Sequence, residues 1–223
     1  GRVAPLGRRK VPSGIDKRPQ TGPVRLRRDG FAEDEQGDRK HHGGPEKAAH
    51  HYPFDHYAAW RERLPGAVAR LGAPGAFGEN ISTLGMTEAD VCIGDVYRMG
   101  GALVQVSQGR QPCWRLNERF GEPDMARLVQ ESRRTGWYYR VLEEGEVGPD
   151  DGIGLVDRPA PIWTLDRIMD VLYRDVLDLE RLTALAELSE LSESWRTLAR
   201  RRLERLSVED WSTRLRTPPE VAQ

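Results

Sequence analysis

A cysteine follows an arginine by three positions in Ser107-Gln108-Gly109-Arg110-Gln111-Pro112-Cys113, just past an apolar run that reads as a β-strand. Gly109 and Pro112 break regular pairing there. Thiolate is a nucleophile and a ligand for soft or sulfur-loving metals, and fixed positive charge nearby favours it. Cys113 therefore reads as a metal ligand in a redox cofactor site. The other cysteine, in Val91-Cys92-Ile93, lies inside a β-rich apolar run and reads as a packed core thiol. Two cysteines make no disulfide framework, and no apolar export segment follows the basic first residues, so both are expected reduced.

Three further stretches carry chemistry-bearing side chains. Pro12 and Pro19 bracket a loop, Ser13-Gly14-Ile15-Asp16-Lys17-Arg18, whose donors suit a phosphate. Residues 1–28 hold nine basic side chains against Asp16 alone. Only four lysines occur in the chain (Lys10, Lys17, Lys40 and Lys47), which draws attention to Lys17 and Lys40. All five histidines (His41, His42, His50, His51 and His56) fall around His42-Gly43-Gly44-Pro45. Their spacing matches neither a Cys-x-x-Cys nor a His-Glu-x-x-His zinc pattern. Two glycines after His42 would let backbone approach a ligand there. Finally, Gly75-Ala76-Phe77-Gly78-Glu79-Asn80 is a Gly-rich turn of the kind that cradles phosphates or flat heterocycles.

The elements that must position these residues are short. Val24–Arg27 alternates apolar and basic residues as a half-buried strand does, and Val96–Met99 and Ala102–Val106 flank Gly100-Gly101 as a hairpin. Trp137–Leu142 and Gly154–Asp157 read as later strands, and residues 53–64 and 124–136 as helices. Many short strands with Gly-rich turns predict an α+β, mainly β fold, a β-barrel with a few peripheral helices. After Pro159-Ala160-Pro161 the period becomes helical: Thr164 caps one helix, and the stripes Leu179/Leu182/Leu185/Ala186 and Leu191/Trp195/Leu198/Arg202 give two more. The expected division is residues 1–158 and a three-helix domain over 159–223.

Of the 223 residues, 38% are hydrophobic and 31% charged, with a net charge of −1. This excludes a disordered chain and argues against stable nucleic-acid binding. No apolar run approaches a membrane span, so a cytoplasmic protein is expected.

With these motifs in place, the chain resembles the MOSC family, named after the C-terminal region of molybdenum cofactor sulfurase, and within it the YiiM-like branch. The resemblance rests on Ser13-Gly14-Ile15-Asp16-Lys17, on Gly37-Asp38-Arg39-Lys40-His41-His42-Gly43-Gly44-Pro45, on Gly75–Asn80, on Gly94-Asp95 and on Ser107–Cys113, in that order. Gly109 departs from it, since proline is frequent there. The resemblance implies a MOSC-type barrel that binds molybdenum cofactor, a pterin dithiolene carrying a phosphate. Cys113 would be the metal ligand, with His42 and Lys17 catalytic and Lys40 the competing lysine. Lys17, Arg110, Asn80, Ser107, Gly78 and Ser13 would bind the cofactor.

The implied activity is a two-electron reduction of N-hydroxylated compounds such as 6-N-hydroxylaminopurine. The cofactor would carry the redox chemistry while the protein sets orientation and electrostatics. No cluster-binding cysteine set or flavin motif is present, so an external electron donor, a flavoprotein or iron–sulfur reductase, is expected. A homodimer is a further expectation of the resemblance. A non-enzymatic cofactor or metal–sulfur carrier would use the same motifs, and a zinc hydrolase built on the histidines is the third reading.

Overall fold

The structure, a computed structural model, describes residues 1–35, 37 and 43–219. The strands are β1 (Ala4–Leu6), β2 (Val11–Ser13), β3 (Val24–Arg27), β4 (Gly30–Phe31), β5 (Ala49–His51), β6 (Val96–Met99), β7 (Ala102–Gly109), β8 (Trp137–Glu143), β9 (Gly145–Val147) and β10 (Ile153–Asp157). The helices are α1 (His56–Arg63), α2 (Arg115–Phe120), α3 (Met125–Ser132), α4 (Leu165–Tyr173), α5 (Leu179–Glu187), α6 (Glu193–Arg205) and α7 (Ser212–Leu215).

The strands form a two-stranded pair, a five-stranded sheet in the order β10-β6-β7-β8-β5, and a three-stranded sheet in the order β4-β3-β9, with antiparallel pairing throughout. The expected barrel is thus corrected: no closed sheet forms among the described residues. The two larger sheets part near Gly145. Its backbone packs on the hairpin turn so tightly that an added Cβ would lie 2.2 Å from the Gly101 carbonyl carbon. There the chain leaves β8 and β9 pairs with β3 instead. The five-stranded sheet therefore keeps two edges, β5 and β10.

The hairpin forms as its sequence dictates, with Met99 opposite Ala102 and Gly100 at φ 52°. Ahead of it, Gly94 sits at φ 79° and the buried Asp95 carboxylate accepts from Cys92 N (2.8 Å), Tyr97 OH (2.9 Å) and Arg158. A buried carboxylate needs such partners, and here they fasten the turn to the segment that leads into the helices. Cys92 is buried as expected, and neither it nor Cys113 is joined in a disulfide among the described residues.

Thr164 caps α4 by accepting from Arg167 N at 3.2 Å. One continuous apolar cluster joins Val104, Val106 and Trp137 of the sheet to Met169, Leu182, Leu185 and Trp195 of the helices. Ser192 N donates to Ser107 O at 2.8 Å, so α6 begins on the end of β7. No helix among the described residues is long and apolar enough to cross a membrane.

The departure from proline at residue 109 has a packing counterpart. A Cβ on Gly109 would lie 2.9 Å from Trp195 Cη2 and 3.6 Å from Met169 Sδ, so the helical unit occupies the space a side chain would need. Gly109→Ala is expected to destabilise the protein by about 1–3 kcal/mol, because Trp195 is fully buried and cannot yield freely. Denaturant unfolding checks this, with an unchanged midpoint as the opposing result.

Candidate functional site

At the end of β7 the backbone of Arg110 bonds to Gly136 O at 3.0 Å, and the chain then turns through Pro112 into α2. Beside this turn lies a cleft lined by Ser13, Lys17, Asp34, Lys47, His50, Gly78, Asn80, Arg110, Cys113, Arg115 and Tyr138, among others. Loops far apart in sequence thus converge on one thiol. Cys113 is largely buried, at 8% exposure.

Each wall has a local cause. In the Gly-rich turn, the buried Glu79 carboxylate accepts from Gly75 N (2.7 Å), Phe77 N (3.0 Å) and Tyr57 OH. The turn is held from its other side by the buried Arg119, which donates to Ala76 O (2.7 Å) and Gly75 O (2.9 Å) and pairs with Asp16 at 3.0 Å. Glu79 is therefore a fastening and Asn80 is the residue turned to the cleft. Gly78 sits at φ +77°, and an added Cβ would lie 2.5 Å from Ile15 Cγ1. Only glycine allows the Ser13–Lys17 loop to close over this turn.

Arg110 Nη1 donates to Phe77 O at 2.8 Å, tying the cysteine loop to the same turn. Lys17 Nζ pairs with both Asp34 oxygens, and Asn80 Nδ2 donates to Asp34 Oδ2 at 2.8 Å. Burial pushes the Asp34 carboxyl up, but the Lys17 charge and the hydrogen bonds from Lys17 and Asn80 outweigh it and hold the group below its usual range. Asp34 stays ionised at neutral pH and faces the Lys17 side chain as a carboxylate.

Of the residues singled out from sequence, Ser13, Lys17, Gly78, Asn80, Arg110 and Cys113 meet in this cleft. Ser107 stands apart. Its buried hydroxyl donates to Glu46 O at 2.6 Å, with Tyr138 O at 3.1 Å, and so it anchors the Pro45–Lys47 turn that brings Lys47 to the cleft. His42 and Lys40 lie outside the described residues. Asp34, Lys47, His50, Arg115 and Tyr138 were not foreseen. Of these, Lys47 and Arg115 had a local signal, being basic residues flanking the Gly-Gly-Pro turn and the cysteine.

The described histidines, His50, His51 and His56, form no zinc centre. No group of three or more His, Cys, Asp or Glu side chains is arranged to hold a metal among the described residues. His56 Nε2 bonds to the buried Glu88 at 2.6 Å. His51 lies between Tyr139 OH (3.0 Å) and Thr83 Oγ1 (2.8 Å). His50 lines the cleft, where burial, and then the Arg110 charge, push its pKa well down despite carbonyl partners. It is a neutral imidazole at pH 7.

Four cationic side chains against two carboxylates on one cleft suit an anionic ligand better than a neutral one, and the thiol adds a donor for a soft metal. The α+β fold, with a cysteine beyond a central strand and helices packed on that strand's end, defines the class, and the chain belongs to the MOSC domain family, which matches residues 38–154. A second match, the YiiM-like 3-alpha helix domain, covers residues 163–206. Protein YiiM of Escherichia coli is 40% identical over 205 residues, covering 92% of this chain and 90% of that protein. Its crystal structure superposes with a TM-score of 0.82 at 34% identity, over 97% of this chain and all of that one. The uncharacterized protein YflK of Bacillus subtilis is 41% identical over 198 residues, covering 89% and 88%. A protein of Gibberella moniliformis named Reductase is 35% identical over 195 residues, which is 87% of this chain but 34% of that protein.

Burial lowers the His51 pKa to about 3. A histidine buried neutral resists protonation while its unfolded counterpart, near pH 6.5, does not, so stability is present above pH 6.5 and falls as pH drops toward 3. Between pH 6.5 and 5 this one residue should remove roughly 2 kcal/mol of stability. His51→Gln, followed by unfolding at both pH values, should show a shallower loss. An identical slope would place the acid sensitivity elsewhere.

Proposed function

We propose that the protein is a molybdenum-cofactor-dependent reductase that removes oxygen from N-hydroxylated compounds, with Cys113 as the protein's ligand to the metal. The observation that carries this reading is the position of Cys113 in one cleft with Arg110, Arg115, Lys17 and Lys47. Thiolate is the donor a sulfur-rich molybdenum set calls for, and the surrounding cations match the charge of a phosphate-bearing dithiolene. The Gly78 turn and the Ser13–Lys17 loop supply backbone at close range, the arrangement that suits a flat, anionic group.

When bound, the cofactor supplies the two electrons that break the N–O bond. The chain's part is to hold and to orient. Arg110, fixed by Phe77 O, and the Ser13–Lys17 loop would hold the phosphate and pterin, and Asn80, fixed by Asp34, would add a donor. The oxygen leaves as water and requires protons. Lys17 Nζ, held in place by its pair with Asp34, offers N–H groups at the wall of the cleft. His50, neutral and buried, offers a hydrogen bond without adding charge. His42 keeps its proposed catalytic role on sequence grounds alone. Electrons come from an external donor, because the motifs for a flavin or an iron–sulfur cluster are not in this sequence. Membership of a family associated with molybdenum cofactor, and a relative named Reductase, support this reading.

The test is turnover. The full-length chain, isolated with its cofactor, should reduce 6-N-hydroxylaminopurine with an artificial electron donor. Cys113→Ser should lose that activity by roughly 10²-fold or more, together with bound molybdenum. Full metal content and full turnover in the variant would show that Cys113 is not the ligand. Cofactor binding without any turnover would favour the carrier reading.

A further inference from the structure

Beyond the helical domain match, the chain returns to the outside of the cysteine loop. Arg214 in α7 contacts the main chain on both sides of Cys113. Its guanidinium donates to Pro112 O, and its own carbonyl accepts from Trp114 N at 2.8 Å. The other guanidinium arm reaches Gln130 Oε1 on α3.

The stretch that carries Arg214 is itself fastened. Upstream, Glu209 pairs with the fully buried Arg202 at 2.7 and 3.0 Å and accepts from Trp211 Nε1 at 2.7 Å. Downstream, Asn117 Nδ2 donates to Leu215 O at 2.9 Å and Arg9 donates to Pro219 O at 2.8 Å. Asn117 also accepts from Ala126 N at 2.8 Å, so the strap is joined to both helices that follow the cysteine.

We propose that Arg214 is a positioning residue that fixes the Cys113 thiol in the cleft by clamping the peptide groups before and after it. Arg214 does not line the cleft, so its action runs through the loop and not through contact with a ligand. The logic is geometric. Once the 112 carbonyl and the 114 amide are both held, little freedom remains in the backbone that aims the Cys113 side chain. The contact to Pro112 O comes from a charged donor, which is stronger than a neutral bond. The strand side of the loop is fixed at Arg110, and the Cys113 carbonyl by Leu116 N at 2.9 Å, so the clamp holds the two main-chain groups beside them, the Pro112 carbonyl and the Trp114 amide.

The functional consequence rests on Cys113 being the ligand, but the clamp itself is measured without cofactor. The full-length chain, produced in a host unable to make molybdenum cofactor, is treated with iodoacetamide at neutral pH, and alkylation at each cysteine is followed by mass spectrometry. Buried Cys92 reports general loosening. Arg214→Ala should speed alkylation of Cys113 by about tenfold and leave Cys92 unchanged, as expected for local opening. Arg214→Lys, which retains one charged donor, should fall between, and carries the same test if the alanine variant fails to fold. An acceleration below about threefold at Cys113, or an equal one at Cys92, overturns the proposal. Either failure leaves the Cys113→Ser test of the ligand untouched.

Discussion

The end of β7 is the point on which the rest of the molecule depends. From Ser107 to Trp114 the chain is gripped from two directions. On the sheet side, Ser107 holds the turn that brings Lys47 to the cleft, and Arg110 is tied by its backbone to Gly136 and by its side chain to Phe77. On the helical side, Ser192 bonds to Ser107, Trp195 fills the space over Gly109, and Arg214 holds Pro112 and Trp114. A thiol beyond a strand end would otherwise sit on a mobile loop. Here it is held on both flanks, which is the condition for presenting one atom to a ligand in one orientation.

The helices are thus part of the site's support, although none of them lines the cleft apart from the first residue of α2. Their apolar stripes do not close on each other alone. They complete a cluster that begins on β7 and β8, which couples the packing of Trp195 and Met169 to the geometry of the cysteine loop. The cleft's polar side follows a similar economy of buried charge. Asp34, Glu79 and Asp95 are each surrounded by donors, and each fixes a turn: Asp34 the lysine loop, Glu79 the Gly-rich turn, Asp95 the approach to the hairpin.

Much of this was legible in the sequence because it is local. The Gly100-Gly101 hairpin, the Thr164 cap and the two helical stripes each depend on a few neighbouring residues. The motif residues were legible one by one, and Ser13, Lys17, Gly78, Asn80, Arg110 and Cys113 share the cleft. What was not legible depends on distant pairing. Ser107 was expected among the cofactor-binding residues, yet its hydroxyl is turned to the Tyr138 carbonyl of β8 and the Glu46 carbonyl. His50 was one of five histidines and became distinct only once β5 had paired with β8. The closed barrel failed because residues 145–147, just past β8, pair with β3 in a separate sheet, a distant pairing that local patterning does not encode. The α7 strap is four residues long, too short for any periodic signal.

The most direct measurement of the central claim is elemental analysis of the full-length chain as isolated from a host that makes molybdenum cofactor. The predicted result is molybdenum in stoichiometric amount, accompanied by a pterin that fluoresces on oxidation and by no stoichiometric zinc. Protein that carries zinc, or that holds neither molybdenum nor pterin when purified from such a host, would contradict it.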